Sequence, residues 1–320
     1  MNKDFSYYLS KFLSDYLIVE RNMSDNTIRS YRKTFQILID YLVNIKGIKL
    51  KDITFKNITR EIIIEFLNYL EDEKKNSIRT RNQRLACIKS FYQYCIIDEI
   101  DNIDNIRKIL SIKTKKEIKK VMNYLTEEEL KTIFDSIDTS TKIGRRNLTI
   151  LTLLYDTAAR ASEIINIKIE DIHLEEKYII LTGKGNKQRV VPIMEQTKKL
   201  LISYYKENII LNGYLFNING MRFSKNTLAE IVKKHSKIIS KKVSPHTFRH
   251  TRAVHLLDKG VNIIYIQELL GHTSINTTME YTKVIEKSKF DAIKEANPKL
   301  DNDLPDWNND SDLLSQLLNM

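Results

Sequence analysis

The sequence predicts a mainly α-helical protein with one small antiparallel β-sheet, divided into two domains. Apolar residues recur at helical spacing along most of the 320 residues, whereas the strand pattern is confined to one glycine-containing stretch. A chain of this length can bury two separate cores. A basic, polar stretch lies between two periodic segments and marks the domain boundary. We therefore expect a helical domain at 1–112, a linker at 113–124, a second domain at 125–297 and an acidic tail at 298–320.

Four helices account for most of the first domain. The first runs from Lys3 to about Val19, with aromatic and leucine side chains at helical spacing. Each of the next three follows a residue type that commonly caps a helix N-terminus: Ser24, Thr59 and Ser77. The stretch from 48 to 143 contains neither proline nor glycine, which favours helices with simple connections.

The second domain should contain several capped helices. Thr126 and Glu129 have the spacing of a capping box, and Ser244 precedes Pro245 as a cap precedes the first helical residue. Gly271 is suited to end a helix in the left-handed conformation. Further helices are expected at 147–155, 161–166 and 263–270, and after the possible cap Ser274.

A β-hairpin is predicted between the helices of the second domain. Apolar residues at 178–182 and 187–193 flank the turn Gly183–Asn186, and 167–172 is a candidate third strand. Lys184 lies between two glycines at the turn, where the backbone can approach a ligand closely. A lysine at such a position is also commonly just solvated, so the spacing alone leaves its role open.

The charge distribution predicts a polyanionic partner. The net charge is +11, and residues 1–120 contain 24 Lys and Arg against 16 Asp and Glu. Residues 121–300 contain 28 against 20, while the last twenty residues contain five acidic residues and no basic one. Two basic domains are typical of nucleic-acid binding. A codon bias towards lysine is the alternative explanation.

Composition also indicates a cytoplasmic protein with no membrane partner. No apolar run approaches the ~20 residues that a membrane span needs, and no apolar signal-peptide core follows Met1. Cys87 and Cys95 are the only cysteines and have neither a metal-binding nor a redox spacing. We expect both to lie on the fourth helix and to pack in the core of the first domain.

Basic residues in three places are candidates for DNA contacts. They lie at the start of the fourth helix, in the linker and on the hairpin, and each could bind a phosphate backbone. A solvated charged surface is the alternative at each position. The candidates are Arg79, Arg81, Arg84, Lys89, Lys115, Lys116, Lys187 and Arg189.

Two helix starts in the second domain could bind a phosphate. Arg160 precedes the short helix at 161–166, and helix N-termini attract anions through free N–H groups and the helix dipole. Pairing of Arg160 with Glu163 is the alternative. His246 and Arg249 are three residues apart on one face of the next such helix start. His246 and His250 have the spacing of a zinc pair, but the HExxH signature is absent, so we expect no metal.

Together with His272 and Tyr281, these motifs resemble the tyrosine site-specific recombinases, the family that includes phage integrases and Xer recombinases. The order of the motifs matches, and the resemblance covers nearly the whole chain. One departure is visible: family members usually have Gly-Leu or Gly-Met where this chain has Ala158 and Ala159. The matching segments are Ala159–Glu163, Gly183–Gly185, His246–His250, Leu269–His272 and Thr277–Thr282.

The chemistry of this family suits these side chains. Tyr281 can attack a phosphodiester and form a covalent phosphotyrosine, although a phenol has a pKa near ~10 and needs a cationic pocket to favour ionisation. Arg160 and Arg249 can clamp the phosphate with planar, bidentate donors. The resemblance implies Lys184 as general acid and His246 as general base or hydrogen-bond partner.

The resemblance also implies that His272 donates a hydrogen bond to the phosphate. The phosphotyrosine conserves the bond energy, so rejoining needs no ATP, and neither metal nor cofactor is expected. The predicted catalytic set is therefore Arg160, Lys184, His246, Arg249, His272 and Tyr281.

Family resemblance further implies a clamp and an assembly. Two domains would form a C-shaped clamp on a double-stranded recombination site, and four subunits would exchange strands through a Holliday junction. The tail carries leucines on one helical face, at 313, 314, 317 and 318, and is expected to dock on a neighbouring subunit. Integration or excision of a mobile element and Xer-like dimer resolution are both compatible with the sequence. The alternatives are a DNA-binding relative without strand exchange and a type IB topoisomerase-like enzyme.

Overall fold

The computed structural model confirms a mostly helical protein with a small antiparallel sheet. The chain divides into two compact units between residues 120 and 121, within the stretch predicted as the linker. None of the helices in the described residues is both long and apolar enough to cross a membrane. The structure describes residues 4–117, 122–208, 212–218, 220–272 and 274–283, apart from the side chains of Lys184 and Lys283.

Five α-helices build the described part of the first unit. Thr59 and Ser77 cap the third and fourth helices by accepting backbone N–H groups, and Ser24 occupies the N-cap position of the second. Two helices continue into π-helical segments, Phe12–Glu20 and Tyr41–Ile45. The helices are α1 (Phe5–Lys11), α2 (Asp25–Asp40), α3 (Arg60–Asp72), α4 (Ile78–Cys95) and α5 (Ile103–Leu110), the last of which was not predicted.

Aromatic rings dominate the core of this unit. Phe91 lies within 5.1 to 6.0 Å, between ring centroids, of Phe5, Phe12, Phe35 and Phe55. Offset and edge-to-face pairs of this kind add to the stabilisation from burial. Both cysteines of α4 are buried and free, as predicted.

Eight α-helices build the described part of the second unit. The capping box of Thr126 and Glu129 is present, and Ser244 caps a helix whose first residue is Pro245. The helices are α6 (Glu127–Asp135), α7 (Lys142–Asp156), α8 (Ala161–Ile164), α9 (Glu195–Asn208), α10 (Lys225–His235), α11 (Pro245–Asp258), α12 (Ile263–Leu270) and α13 (Ile275–Met279).

The predicted hairpin supplies two strands of a three-stranded antiparallel sheet. Its strands are β1 (Ile172–His173), β2 (Tyr178–Thr182) and β3 (Gln188–Pro192), and Thr182 pairs with Gln188 at the turn. The third strand is shorter than the predicted 167–172, because residues 169–171 form a 3₁₀ turn that the side chain of Asp171 closes on the backbone N–H of Lys168. A second, two-stranded sheet was not predicted: β4 (Asn217–Ile218) with β5 (Met221–Arg222).

Candidate active site

Arg249 is the most deeply buried cation of the site. The capped start of α11 places it inside the domain, where its side chain is among the largest fully buried ones. Its Nη1 donates to the carbonyl of Ala158 at 2.9 Å, and its Nη2 donates to the carbonyl of Leu270 at 2.6 Å. Burial, followed by the charge of Arg160, lowers the pKa of Arg249 to about 10, so the guanidinium remains charged at neutral pH.

The backbone at Ala158 accounts for the glycine that the family resemblance leads one to expect at this point. Ala158 is buried and adopts a φ of 49°, in the left-handed region. A residue with a Cβ atom adopts this conformation at a cost of roughly 1–2 kcal/mol. The turn is held because the carbonyl of Ala158 accepts a hydrogen bond from Arg249. Replacing the usual glycine with alanine therefore keeps the turn and adds strain to it.

Glu163 holds two arginines from the floor of the site. Its buried carboxylate accepts the backbone N–H and the Nη1 of Arg160, both at 2.8 Å. The same carboxylate accepts hydrogen bonds from both terminal nitrogens of Arg189, from Nη1 at 3.0 Å and from Nη2 at 2.8 Å. Burial raises the pKa of Glu163, but the hydrogen bonds and charges of Arg189 and Arg160 outweigh burial and hold the pKa at about 2.

Arg160 pairs with Glu163 and still faces the outside. Its side chain keeps 37% of its accessible surface, and its Nη2 donates to the carbonyl of Gly271 at 3.4 Å. The alternative pairing considered from the sequence is thus present. The pairing does not remove the arginine from a possible phosphate site, because Glu163 lies beneath it and orients it.

Arg189 lies inside the site, although the sequence suggested a DNA contact on the hairpin. Its side chain is 14% exposed, and its Nε donates to the carbonyl of Leu269 at 2.8 Å while Glu163 binds the other nitrogens. The sequence pattern indicates the burial of Arg189, because residues 189 and 191 are two apart and lie on the same face of β3. Val191 is a core residue.

Gly271 forms the corner that leads to the nucleophile candidate. It ends α12 with a φ of 61°, and a Cβ atom there would lie 3.1 Å from the Cδ of Arg189. His272 follows, and its Nδ1 lies 2.9 Å from the Oγ1 of Thr278. Glycine is therefore required at this corner both for its backbone conformation and for the approach of Arg189.

Tyr281 is enclosed by histidines. It lies in the 3₁₀ turn Glu280–Lys283 after α13 and is 2% exposed. Its hydroxyl is 2.9 Å from the Nδ1 of His250, and its ring is parallel to that of His272 at 6.5 Å between centroids. Burial raises the pKa of Tyr281, although the charges of Arg249 and Arg160 act in the opposite direction. The cationic pocket expected from the sequence is present, but burial outweighs it.

The three histidines of the site are uncharged at neutral pH. Burial, together with neighbouring positive charges, lowers the pKa of His246, and lowers those of His250 and His272 to about 4. The rings of His246 and His250 lie 5.0 Å apart between centroids. Within the described ranges, no three His, Cys, Asp or Glu side chains converge as metal ligands would.

The hairpin turn adjoins this cluster. A Cβ atom at Gly183 would lie 3.2 Å from the Oε1 of Glu163, so the backbone of the turn passes beside the buried carboxylate. Lys184 begins the 3₁₀ turn Lys184–Asn186 directly after it. The side chain of Lys184 lies outside the described atoms, so its predicted role stays a prediction.

The DNA-contact candidates of the first unit differ in their surroundings. Arg81 is buried, and its Nε lies 3.0 Å from the Oε1 of Glu71, which also pairs with Lys115 at 2.7 Å. Arg84 is half-buried and donates to the Oγ1 of Thr34 at 3.3 Å. Lys89 is likewise half-buried. The exposed members of the predicted set are Arg79, Lys115, Lys116 and, in the second unit, Lys187.

The predicted tail helix and its leucines lie outside the described residues, as do residues 118–121 of the predicted linker.

Low pH should lower the free energy of unfolding, because Glu163 becomes protonated. Its pKa is depressed in the folded state, so its stabilisation is complete above about pH 4.5 and is lost as the pH falls through about 2. The shift corresponds to about 3 kcal/mol. We expect Glu163→Gln to lower the unfolding free energy at pH 7 by this order and to flatten its pH dependence below pH 5.

Urea unfolding at several pH values, followed by circular dichroism, measures both effects. Glu170→Gln is the matched control, because Glu170 is an exposed carboxylate paired with Lys168 on the surface. An unchanged pH dependence in Glu163→Gln would show that the carboxylate does not carry this stabilisation.

Comparisons with known proteins identify the family of the chain. Residues 123–288 match the phage integrase family, and residues 10–98 match the phage integrase N-terminal SAM-like domain. The chain is 33% identical over 294 residues to the tyrosine recombinase XerD of Oceanobacillus iheyensis, covering 89% of this chain and 96% of the relative. It is 32% identical over 295 residues to XerD of Listeria monocytogenes, with the same coverage.

Solved structures share the fold. XerH bound to its difH substrate in a pre-cleavage complex has a TM-score of 0.66 and 25% sequence identity, covering 90% of this chain and 83% of the other. A lambda integrase dimer bound to a COC′ core site has a TM-score of 0.66 at 18% identity, covering 87% and 77%. The chain therefore belongs to the phage integrase family of tyrosine recombinases, which are DNA strand-transferring enzymes.

Proposed function

We propose that this enzyme is a site-specific DNA recombinase that cleaves and rejoins double-stranded DNA through a 3′-phosphotyrosine at Tyr281. The observation that carries the proposal is the enclosure of the phenol by Arg249, Arg160 and two uncharged histidines, His250 and His272. The family membership given above supports the same reaction.

The two arginines are proposed to bind the scissile phosphate. Arg160 offers its exposed face to solvent, while Glu163 fixes its orientation from below. Arg249 is held by two backbone carbonyls and has little freedom to move. Donors fixed in this way stabilise the charge that develops on a pentacoordinate phosphorus without a cost of reorganisation. His246 and His272 are proposed to add hydrogen bonds to the phosphate oxygens.

Cleavage requires one bond to form and one to break. The phenolic oxygen of Tyr281 loses its proton to a base in the site and bonds to phosphorus, the bond from phosphorus to the 5′-oxygen breaks, and the leaving oxygen takes up a proton. We propose Lys184 as the donor of that proton, because the turn that carries it passes beside Glu163. Rejoining reverses these steps, so the reaction needs no nucleotide cofactor.

Strand exchange is preferred over the two alternatives. A relative without catalysis would have no need to retain all of Arg160, Arg249 and Tyr281 in one cluster. A topoisomerase-like enzyme would relax generic plasmids as a monomer, whereas a recombinase should require its site and synapsis. The XerD relatives favour recombination. We propose that four subunits act on two sites through a Holliday junction in the cytoplasm, with both domains of each subunit engaging the DNA.

Tyr281→Phe should abolish formation of a covalent protein–DNA adduct. The phenylalanine keeps the ring contacts but lacks the oxygen that attacks phosphorus. The measurement is an SDS-stable, protease-sensitive adduct with a nicked recombination site. Tyr265→Phe is the matched control, because Tyr265 is 66% exposed on α12, and this variant should form the adduct at the wild-type level. Adduct formation by Tyr281→Phe would show that another residue is the nucleophile.

Substitution of Arg79 should affect DNA binding, whereas substitution of Arg81 should affect stability. Arg79 is exposed on α4, so Arg79→Ala should reduce the slope of log affinity against log salt by about 1 if it binds a phosphate. Arg81→Met should instead lower the unfolding free energy by about 1–2 kcal/mol, because it leaves Glu71 without its buried partner. Fluorescence anisotropy across a salt series and urea unfolding measure the two effects. A reversal of the two phenotypes would contradict this assignment.

Deletion of 301–320 should impair assembly. We propose that the leucine face of the tail docks on a neighbouring subunit, while the acidic residues of this segment add no affinity for DNA. The truncated chain should bind one site with near wild-type affinity and form fewer tetrameric complexes with two sites. Native gels with one and with two labelled duplexes distinguish the steps. Unchanged tetramer formation and unchanged strand exchange would exclude a docking role.

A further inference from the structure

One polar side chain at the nucleophile has no role in the function proposed so far. The Nδ1 of His250 lies 2.9 Å from the hydroxyl of Tyr281. His246, which the family resemblance suggests as general base, has its ring 5.0 Å from that of His250, between centroids. Among the contacts of the described residues, His250 and not His246 is the histidine that forms a hydrogen bond with the Tyr281 hydroxyl.

The hydrogen bond joins two neutral groups. His250 is uncharged at neutral pH, because burial and the positive charge of its surroundings lower its pKa to about 4. A neutral imidazole with its proton on Nε2 presents a lone pair at Nδ1, and a phenol O–H can donate to that lone pair. The geometry thus suits transfer of the phenolic proton to Nδ1.

Tyr281 needs such an acceptor. Its pKa is raised by burial, and the nearby guanidinium groups do not reverse that direction. The phenol therefore enters the reaction with its proton, which has to leave as the bond to phosphorus forms. Proton removal by a positioned side chain typically accelerates a step by about 10²–10⁴-fold.

We propose that His250 is the general base for Tyr281. In cleavage, the phenolic proton moves to Nδ1 of His250 as the phenolic oxygen bonds to phosphorus and the 5′-oxygen leaves with a proton from the acid. In rejoining, the 5′-hydroxyl attacks phosphorus and gives its proton back to the acid, while the imidazolium of His250 returns its proton to the phenolic oxygen. Both steps balance without any further reactant. This inference rests on the function proposed above.

Binding of DNA would make His250 a stronger base. The groups that face it are His246 and Arg249 on its own helix, and Tyr281 and His272 on the segment opposite. Burial, together with the positive charge of Arg249, keeps His250 neutral in the free protein. A scissile phosphate brings a negative charge to the same cluster, and a negative charge favours the imidazolium. The base would therefore be strengthened when its substrate arrives.

His250→Asn tests the proposal, because the amide oxygen can accept the hydrogen bond near the position of Nδ1 but cannot take the proton. The DNA is a nicked duplex recovered from a random library by covalent trapping with the wild-type protein. We expect single-turnover adduct formation at pH 7 to fall by about 10²–10⁴-fold and to recover as the pH rises towards 10. His173→Asn, on β1, should leave the rate unchanged.

Two chemical rescues separate a base from a structural role. Trifluorotyrosine at position 281 ionises more readily and should restore most of the rate in His250→Asn. A 5′-bridging phosphorothiolate, whose leaving group needs no proton, should rescue Lys184→Ala and leave His250→Asn slow. Thermal unfolding checks that the variants fold.

Three outcomes would overturn the inference. His250→Asn could cleave within twofold of the wild-type rate, its defect could persist with trifluorotyrosine and at high pH, or the phosphorothiolate could restore its rate fully. If the wild-type protein forms no adduct with any duplex in the library, the proposed function fails together with the inference. If wild type forms the adduct and His250→Asn equals it, the inference alone fails.

Discussion

The buried carboxylate of Glu163 is the interaction on which the rest of the site depends. It binds Arg160 and Arg189 together, and without its charge the two guanidinium groups would repel each other in a poorly hydrated place. Through Arg189 it fixes the carbonyl of Leu269, and hence the end of α12. Three separate elements, the start of α8, strand β3 and the corner before His272, are thereby held in register by one side chain.

Arg249 uses the backbone for the same purpose. Its hydrogen bonds to the carbonyls of Ala158 and Leu270 join the turn before Arg160 to the end of α12. The left-handed backbone conformation of Ala158 is strained, and it is stabilised because the Ala158 carbonyl accepts a hydrogen bond from the guanidinium of Arg249. Both arginines proposed to bind phosphate are thus oriented before DNA arrives. Preorganisation of this kind is what makes fixed charges effective at a developing transition state.

Sequence patterns predicted most of the frame and part of the site. Capping residues such as Thr59 and Ser244 report helix starts directly, since they bond to backbone groups two or three residues away. The role of Arg189 and the burial of Arg81 depend instead on partners 26 and 10 positions away, Glu163 and Glu71. A basic residue on a helix or hairpin gives a similar sequence pattern whether its side chain faces DNA or an internal carboxylate. Composition could not separate these cases, although the position of Arg189 on the same strand face as the core residue Val191 is a local signal of its burial.

The charge balance of the site explains why it suits a phosphate. Arg160, Arg189 and Arg249 face one carboxylate, Glu163, so the described groups leave an excess of two positive charges. The three histidines respond to this excess and to burial by staying neutral. A phosphodiester carries one negative charge, and the phenolic oxygen brings the pentacoordinate state to two once its proton has passed to His250. The excess therefore matches the transition state better than the ground state, which is the condition for catalysis by differential binding.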